Sequence, residues 1–205
     1  MEDKNYQDDL LHIRQMMEKS SRFISLSGLS GVFAGFTALL GSAYAYYVLL
    51  KNNINYFEGE RNFYSSELKL ELTCIALAIL VLAIFLGYIF TARKSKKINL
   101  PMWDATSKRL LSTFAVPLIA GGFFCLGLLY HDMLVFVAPA TLVFYGLALV
   151  SAERYTISDI KYLGYCEIIL GLLSLFFLGW GFLFWVIGFG VLHIIYGIIM
   201  HKKYQ

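Results

Sequence analysis

Long apolar runs separated by short polar breaks make up most of the chain. Runs near 23–50, 68–92, 110–130, 133–151, 162–178 and 182–200 are bounded by charged or turn-forming residues, and a bilayer-spanning helix needs about 20 mostly apolar residues. The pattern predicts an all-α integral membrane protein with six transmembrane helices. Between the third and fourth runs lie only His131 and Asp132, and between the fifth and sixth only Gly179, Trp180 and Gly181. Breaks this short imply tight antiparallel hairpins. The expected organisation is segment 1–22, hairpin 1 (23–92, with a longer polar connection at 51–67), a basic loop (93–109), hairpin 2 (110–151), a loop (152–161) and hairpin 3 with its tail (162–205).

Two further stretches read as amphipathic helices lying at the membrane surface. Residues 4–22 place Leu10, Ile13, Met16 and Met17 at helical spacing, with Asp8, Asp9, Arg14, Glu18 and Lys19 elsewhere around the wheel. The second is expected near 101–111. There Pro101 and Asp104 mark a helix start, Trp103 suits the headgroup level, and Lys108 and Arg109 fall within reach of lipid phosphates as interfacial anchors.

Composition agrees with a lipid environment. Of 205 residues, 59% are hydrophobic, 17% aromatic and 15% charged, against roughly 45–50% apolar and 25% charged in a soluble domain. A large soluble catalytic domain is excluded, because no uninterrupted polar stretch exceeds the first 22 residues. The net charge is only +3, but its placement is uneven: one set of loops and ends carries 14 Lys and Arg, the opposite set three (Lys51, Arg61, Lys69). Positive loops stay in the cytoplasm, so both termini are expected there. The start, MEDKNYQDDLLHIRQ, lacks a basic segment followed by an apolar one, so no signal peptide is expected. Cys74, Cys125 and Cys166 lie within apolar runs, without disulfide or metal-ligand patterning.

Glycines suggest an internal repeat. Gly35, Gly121 and Gly171 align in the odd spans (GVFAGFTALLG, PLIAGGFFCLG, EIILGLLSLFFLG), and Gly87, Gly146 and Gly197 align in the even ones (FLGYIFTAR, FYGLALVSAER, IYGIIMHKK). Their separations within a unit are 52, 25 and 26 residues. Three tandem hairpins about a pseudo-threefold axis are therefore expected, with these glycines and Gly190 letting helix backbones approach closely. The Gly-rich helix, short turn and second helix ending in IGFGVLHIIYGII resemble the repeated hairpin of the HdeD-type acid-resistance membrane proteins, most closely over 162–200. The resemblance implies a short six-span fold in a bacterial inner membrane and a role in envelope or acid stress. Residues 1–22 and LPMWDATSKRLL resemble instead an uncharacterised group of bacterial six-span proteins.

Ionisable residues within spans are functional candidates, since each costs about 2.5–3.5 kcal/mol even on lenient insertion scales. Glu167 and His193 each lie 13 residues from Trp180, which puts them at equal depth in a tight hairpin. Gly164, Glu167, Gly171 and Ser174 share one face of span five, and Gly190, His193 and Gly197 one face of span six. The two side chains are expected to touch and hold one proton between them, as a proton site or pH sensor; the competing reading is a hydrogen-bonded pair that only fixes register. Most tyrosines, among them Tyr145 and Tyr196, read as interfacial or packing residues. Phosphate loops, catalytic triads, CxxC and HxxxH are absent from the sequence, so neither metal nor cofactor is implied, and basic-aromatic patterning for nucleic acid is lacking too.

Three functions remain open. The first is a non-enzymatic membrane protein acting through assembly, with further copies of itself or a membrane partner. The second is a small proton-linked transporter or channel using Glu167 and His193. The third is a lipid-modifying enzyme, for which Asp104, Lys108, Arg109, Glu153, Arg154 and Asp159 would have to gather at one surface.

Overall fold

The computed structural model describes residues 27–56, 64–99 and 101–204; the amphipathic segment expected at 4–22 lies outside them. The described residues are helical: α1 (Gly28–Lys51), α2 (Ser66–Lys97), α3 (Ala105–Tyr130), α4 (Val137–Ala152), α5 (Ile160–Phe176), α6 (Gly181–Trp185), a π-helical stretch (Val186–Leu192) that runs without interruption into α7 (His193–Tyr204). Single 3₁₀ turns flank α4 at Leu134–Phe136 and Glu153–Tyr155, and another, Leu178–Trp180, precedes α6. Five of these helical stretches are long and apolar enough to cross a membrane. The remaining helix, α5, has 17 residues, or about 26 Å at 1.5 Å per residue, slightly less than a hydrocarbon core of about 30 Å.

Local chemistry sets the helix ends. Ser65 caps α2 by accepting from the Leu68 amide, and Asp104 with Ser107 forms a reciprocal capping box on α3. Helices α1, α2 and α3 are each followed, one residue past the cap, by Asn53, Asn99 or Asp132 at positive φ. Asn and Asp are the non-glycine residues that adopt this conformation most readily.

These ends revise two expectations. Arg93 to Lys97 are not loop but the last turns of α2, where lysines are good helix formers and their charge complements the helix C-terminus. Nor is there a separate surface helix near 101–111. The Asp104 box starts a helix that meets no breaker before Pro117, so these residues are the first turns of α3.

The packing departs further from the tandem-hairpin expectation. Helix α1 lies between α2 and the π/α7 segment, and α4 lies between α3 and α5. Two three-helix groups result, meeting where α6 and the π stretch face α4 and α5. Helices α5 and α7, the expected partners of hairpin 3, instead pack on α4 and α1, and the chain segments on either side of their turn touch mainly near it. Units two and three also differ in build: α3 has 26 residues against 17 in α5, and α4 has no π stretch. Matched glycine spacing did not translate into matched hairpins.

Glycine-lined crossings account for this arrangement. A Cβ on Gly197 would sit 2.5 Å from the Val32 amide nitrogen and 2.7 Å from the Gly28 carbonyl oxygen, and one on Gly35 2.6 Å from the Gly190 carbonyl oxygen. Likewise a Cβ on Gly146 would lie 2.6 Å from the Gly164 carbonyl oxygen, and one on Gly171 2.9 Å from the Val143 amide nitrogen. Backbone meets backbone at both crossings, where dispersion and close approach substitute for a hydrophobic drive. Gly121 abuts the Phe144 side chain, Gly190 abuts Leu39, and Gly87 has nothing within 4 Å. Gly87 therefore does not serve in helix packing.

Both ends of the bundle are tied. At the end opposite the basic loops, Val48, Leu49, Tyr56, Tyr64 and Leu68 form a buried cluster with Leu134 and Phe182 against it, and Lys69 pairs with Asp132. Burial, and then the neighbouring Tyr64, push the Tyr56 hydroxyl above its usual range, so it stays neutral. At the basic end Lys203 Nζ lies 2.6 Å from Asp159 Oδ2, the Tyr204 hydroxyl donates to the same oxygen at 3.1 Å, and Lys161 pairs with Glu153 at 3.4 Å.

Candidate functional site

The junction of the two helix groups contains a small polar cluster in an otherwise apolar interior. Glu167 on α5 is fully buried, and His193, the first residue of α7, is 6% exposed. His193 Nδ1 stands 3.4 Å from Glu167 Oε1. The structure thus places the two residues together across the junction.

The route to this contact differs from the expected one. The glycines of α5 face α4 rather than α7, so α5 and α7 do not close around the pair. Glu167 instead reaches over to the π stretch at Gly188, where a Cβ would lie 2.5 Å from Glu167 Oε2 and 2.6 Å from Leu142 Cδ2. Gly188 is thus what leaves room for the carboxyl group.

Hydrogen bonding specifies the histidine. Nδ1 lies 2.9 Å from the Gly188 carbonyl oxygen, which can only accept, so Nδ1 carries a proton. Nε2 lies 2.8 Å from the Tyr145 hydroxyl on α4, which donates to it when the imidazole is neutral. Gly188 is five residues before His193, the spacing that a π-helix brings one turn apart, and such stretches recur at functional positions. Neither Glu167 oxygen has a hydrogen-bond partner among the described residues. Buried carboxyl oxygens are seldom left so.

Aromatic rings surround the cluster. Trp185, Phe189 and His193 follow one another at four-residue intervals, with ring centroids 4.9 Å and then 5.8 Å apart, and the Tyr145 ring lies 5.0 Å from Phe189 and 5.3 Å from His193. Tyr145 and Gly188 escaped sequence reasoning. Tyr145 looked like one packing tyrosine among many, and the only available hint for Gly188 was its five-residue spacing from an intramembrane histidine.

The remaining candidates lie elsewhere. Trp103 is 59% exposed, and Lys108 and Arg109 are exposed on the first two turns of α3. The acids and bases required by the enzyme reading do not converge: Asp104 caps α3, Glu153 faces Lys161, and Asp159 holds Lys203 and Tyr204. The three cysteines are unpaired.

Membrane-length apolar helices packed through glycines, with a buried carboxyl–imidazole contact between them, are the features of a multi-pass helical membrane protein. No family model, no curated protein and no solved structure matches the chain.

Proposed function

We propose that the chain is a non-enzymatic, multi-pass protein of a bacterial inner membrane whose working element is the single proton held between Glu167 and His193. The observation that carries this reading is the Glu167 carboxyl group, fully buried with no hydrogen-bond partner among the described residues and with the His193 imidazole 3.4 Å away. Beyond the proton fixed on Nδ1, one further proton makes the pair electrically neutral, as acid plus imidazole or, with that proton on Nε2, as carboxylate plus imidazolium. With none or two, it carries a net charge in a medium where an unpaired charge costs several kcal/mol. Because the pair bridges the two helix groups, its proton count biases how they pack. Acid or envelope stress is the setting that the HdeD-type resemblance implies, and assembly with further copies or membrane partners is the proposed mode of action.

Glu167→Gln tests this. The amide keeps the volume and the hydrogen-bonding capacity but cannot exchange the proton. The melting temperature of the wild-type protein in micelles should vary with pH around neutrality, and that of Glu167→Gln should be flatter over the same range. Identical pH profiles would refute the proton reading and leave a register contact only.

The imbalance of 14 against three Lys and Arg supports cytoplasmic termini. In a background without native cysteines, His131→Cys should label from outside intact cells, and Lys202→Cys only after permeabilisation. The reverse pattern would overturn the orientation.

A proton-linked transporter or channel is the second reading, favoured by a specific feature. Tyr145 extends the cluster from His193, and Tyr196, three residues beyond His193 toward the basic end, has a buried hydroxyl without a hydrogen-bond partner among the described residues. Proteoliposomes loaded with a pH-sensitive dye separate the readings, because only this one predicts proton flux that Glu167→Gln abolishes.

A further inference from the structure

We propose that a cavity at the basic end, between α3 and the end of α4, binds the phosphate of an anionic glycerophospholipid headgroup. The cavity, about 380 Å³, is lined by Thr113, Val150, Ser151, Glu153, Arg154 and Tyr155. Its polar groups other than Glu153 are uncommitted. Glu153 is engaged by Lys161, whereas Arg154 has no ion-pair partner among the described residues. The hydroxyls of Thr113, Ser151 and Tyr155 likewise make no hydrogen bond among them.

Several other helix hydroxyls behave differently. Ser112 donates to the Arg109 carbonyl at 3.0 Å, Thr141 to that of Ala138 at 2.8 Å and Ser174 to that of Gly171 at 2.9 Å. Such back-bonding is the usual way to satisfy a hydroxyl within a helix. Thr113 and Ser151 have not taken it, and both line the cavity. Pro117 lacks an N–H and so also leaves the Thr113 carbonyl without its helical donor, an acceptor for a headgroup hydroxyl.

One guanidinium with three free hydroxyls suits a phosphate, and the surroundings favour a lipid over a free ion. Arg109 lies one helical turn before Thr113 and is exposed, so a second cation faces the same region. Val116, one turn after Thr113 on α3, and Leu147, one turn before Ser151 on α4, are exposed apolar residues on the same helix faces, suited to acyl chains. Basic pockets between membrane helices at this level are a recurrent headgroup-binding arrangement. The site is separate from Glu167 and does not depend on the proton reading.

Native mass spectrometry of the full chain, stripped of lipid and titrated with phosphatidylglycerol or phosphatidylcholine, provides the test. The wild-type protein should retain phosphatidylglycerol preferentially. Arg154→Gln should weaken that retention about tenfold, as expected for losing a charge-assisted hydrogen bond. Thr113→Val with Ser151→Ala should weaken it less, and Lys202→Gln, at an exposed cation of the same end, should not change it. Arg154 has no structural partner among the described residues, so its variant should fold; an unchanged melting temperature checks this. Equal retention by Arg154→Gln and wild type, or equal loss in Lys202→Gln, would overturn the site. Displacement of the lipid by equimolar inorganic phosphate would overturn the lipid assignment.

Discussion

Gly197→Ala should destabilise the protein, while Gly87→Ala should leave it unchanged or slightly more stable. Both are single-methyl additions to glycines in apolar helices, and the sequence aligns the two as repeat-equivalent. The new methyl on Gly197 would meet backbone atoms of α1, the Val32 nitrogen at 2.5 Å and the Gly28 oxygen at 2.7 Å. Backbone cannot rotate aside, so α7 must move off α1. Overpacking of this kind costs roughly 1–3 kcal/mol, and for a chain of this size each kcal/mol shifts the melting temperature by roughly 2–4 °C. Gly146→Ala should behave similarly, with the Gly164 carbonyl oxygen at 2.6 Å. At Gly87 the methyl meets nothing within 4 Å, and replacing a helix-interior glycine gains roughly 0.5–1 kcal/mol. Thermal unfolding in micelles checks the contrast; equal effects at 87 and 197 would mean that the α1–α7 crossing is wrongly described.

His193→Leu should cost more than the changes Glu167→Leu, His193→Leu and Tyr145→Phe made together. Removing the imidazole strands the Glu167 carboxyl group, which has no hydrogen-bond partner of its own among the described residues, and breaking a buried pair from one side typically costs about 3–5 kcal/mol. Replacing both members by leucine, with Tyr145→Phe to spare the hydroxyl that would lose its acceptor, removes every stranded side-chain group. Apolar replacement of a buried pair is often neutral or stabilising. The triple variant should therefore melt above His193→Leu while losing any pH response. If it melts lower, the cluster contributes net stability, and its role is structural.

Much of the architecture was legible because its causes are local. Apolar runs long enough to span, the Asp104–Ser107 box, and Asn or Asp just beyond helix ends all act within a few residues. The basic stretch 93–97 is helix rather than the expected loop for a physical reason: lysine signals the membrane surface, but it also favours helix and suits a helix C-terminus. Hairpin 3 departs from the expected pairing for another. A three-residue turn brings α5 and the following helix together only at that turn, and the partner of each helix beyond it is chosen by glycine faces. A glycine face does not encode which distant face it will meet. Glu167 and His193 announced themselves by the cost of polarity in hydrocarbon. Tyr145 lies 48 residues from His193 on another helix, and no local pattern connects them.

Joint possession of one titrating proton by Glu167 and His193 is open to direct measurement. Nitrogen-15 NMR of histidine-labelled protein in micelles, with His193 assigned by comparison with His193→Gln, reads this directly, because the two ring nitrogens report tautomer and charge separately. The account predicts, for the neutral imidazole, a proton on Nδ1 with Nε2 accepting from Tyr145, and a titration midpoint for His193 that moves in Glu167→Gln. A proton on Nε2, or a midpoint identical in wild type and Glu167→Gln, would contradict it.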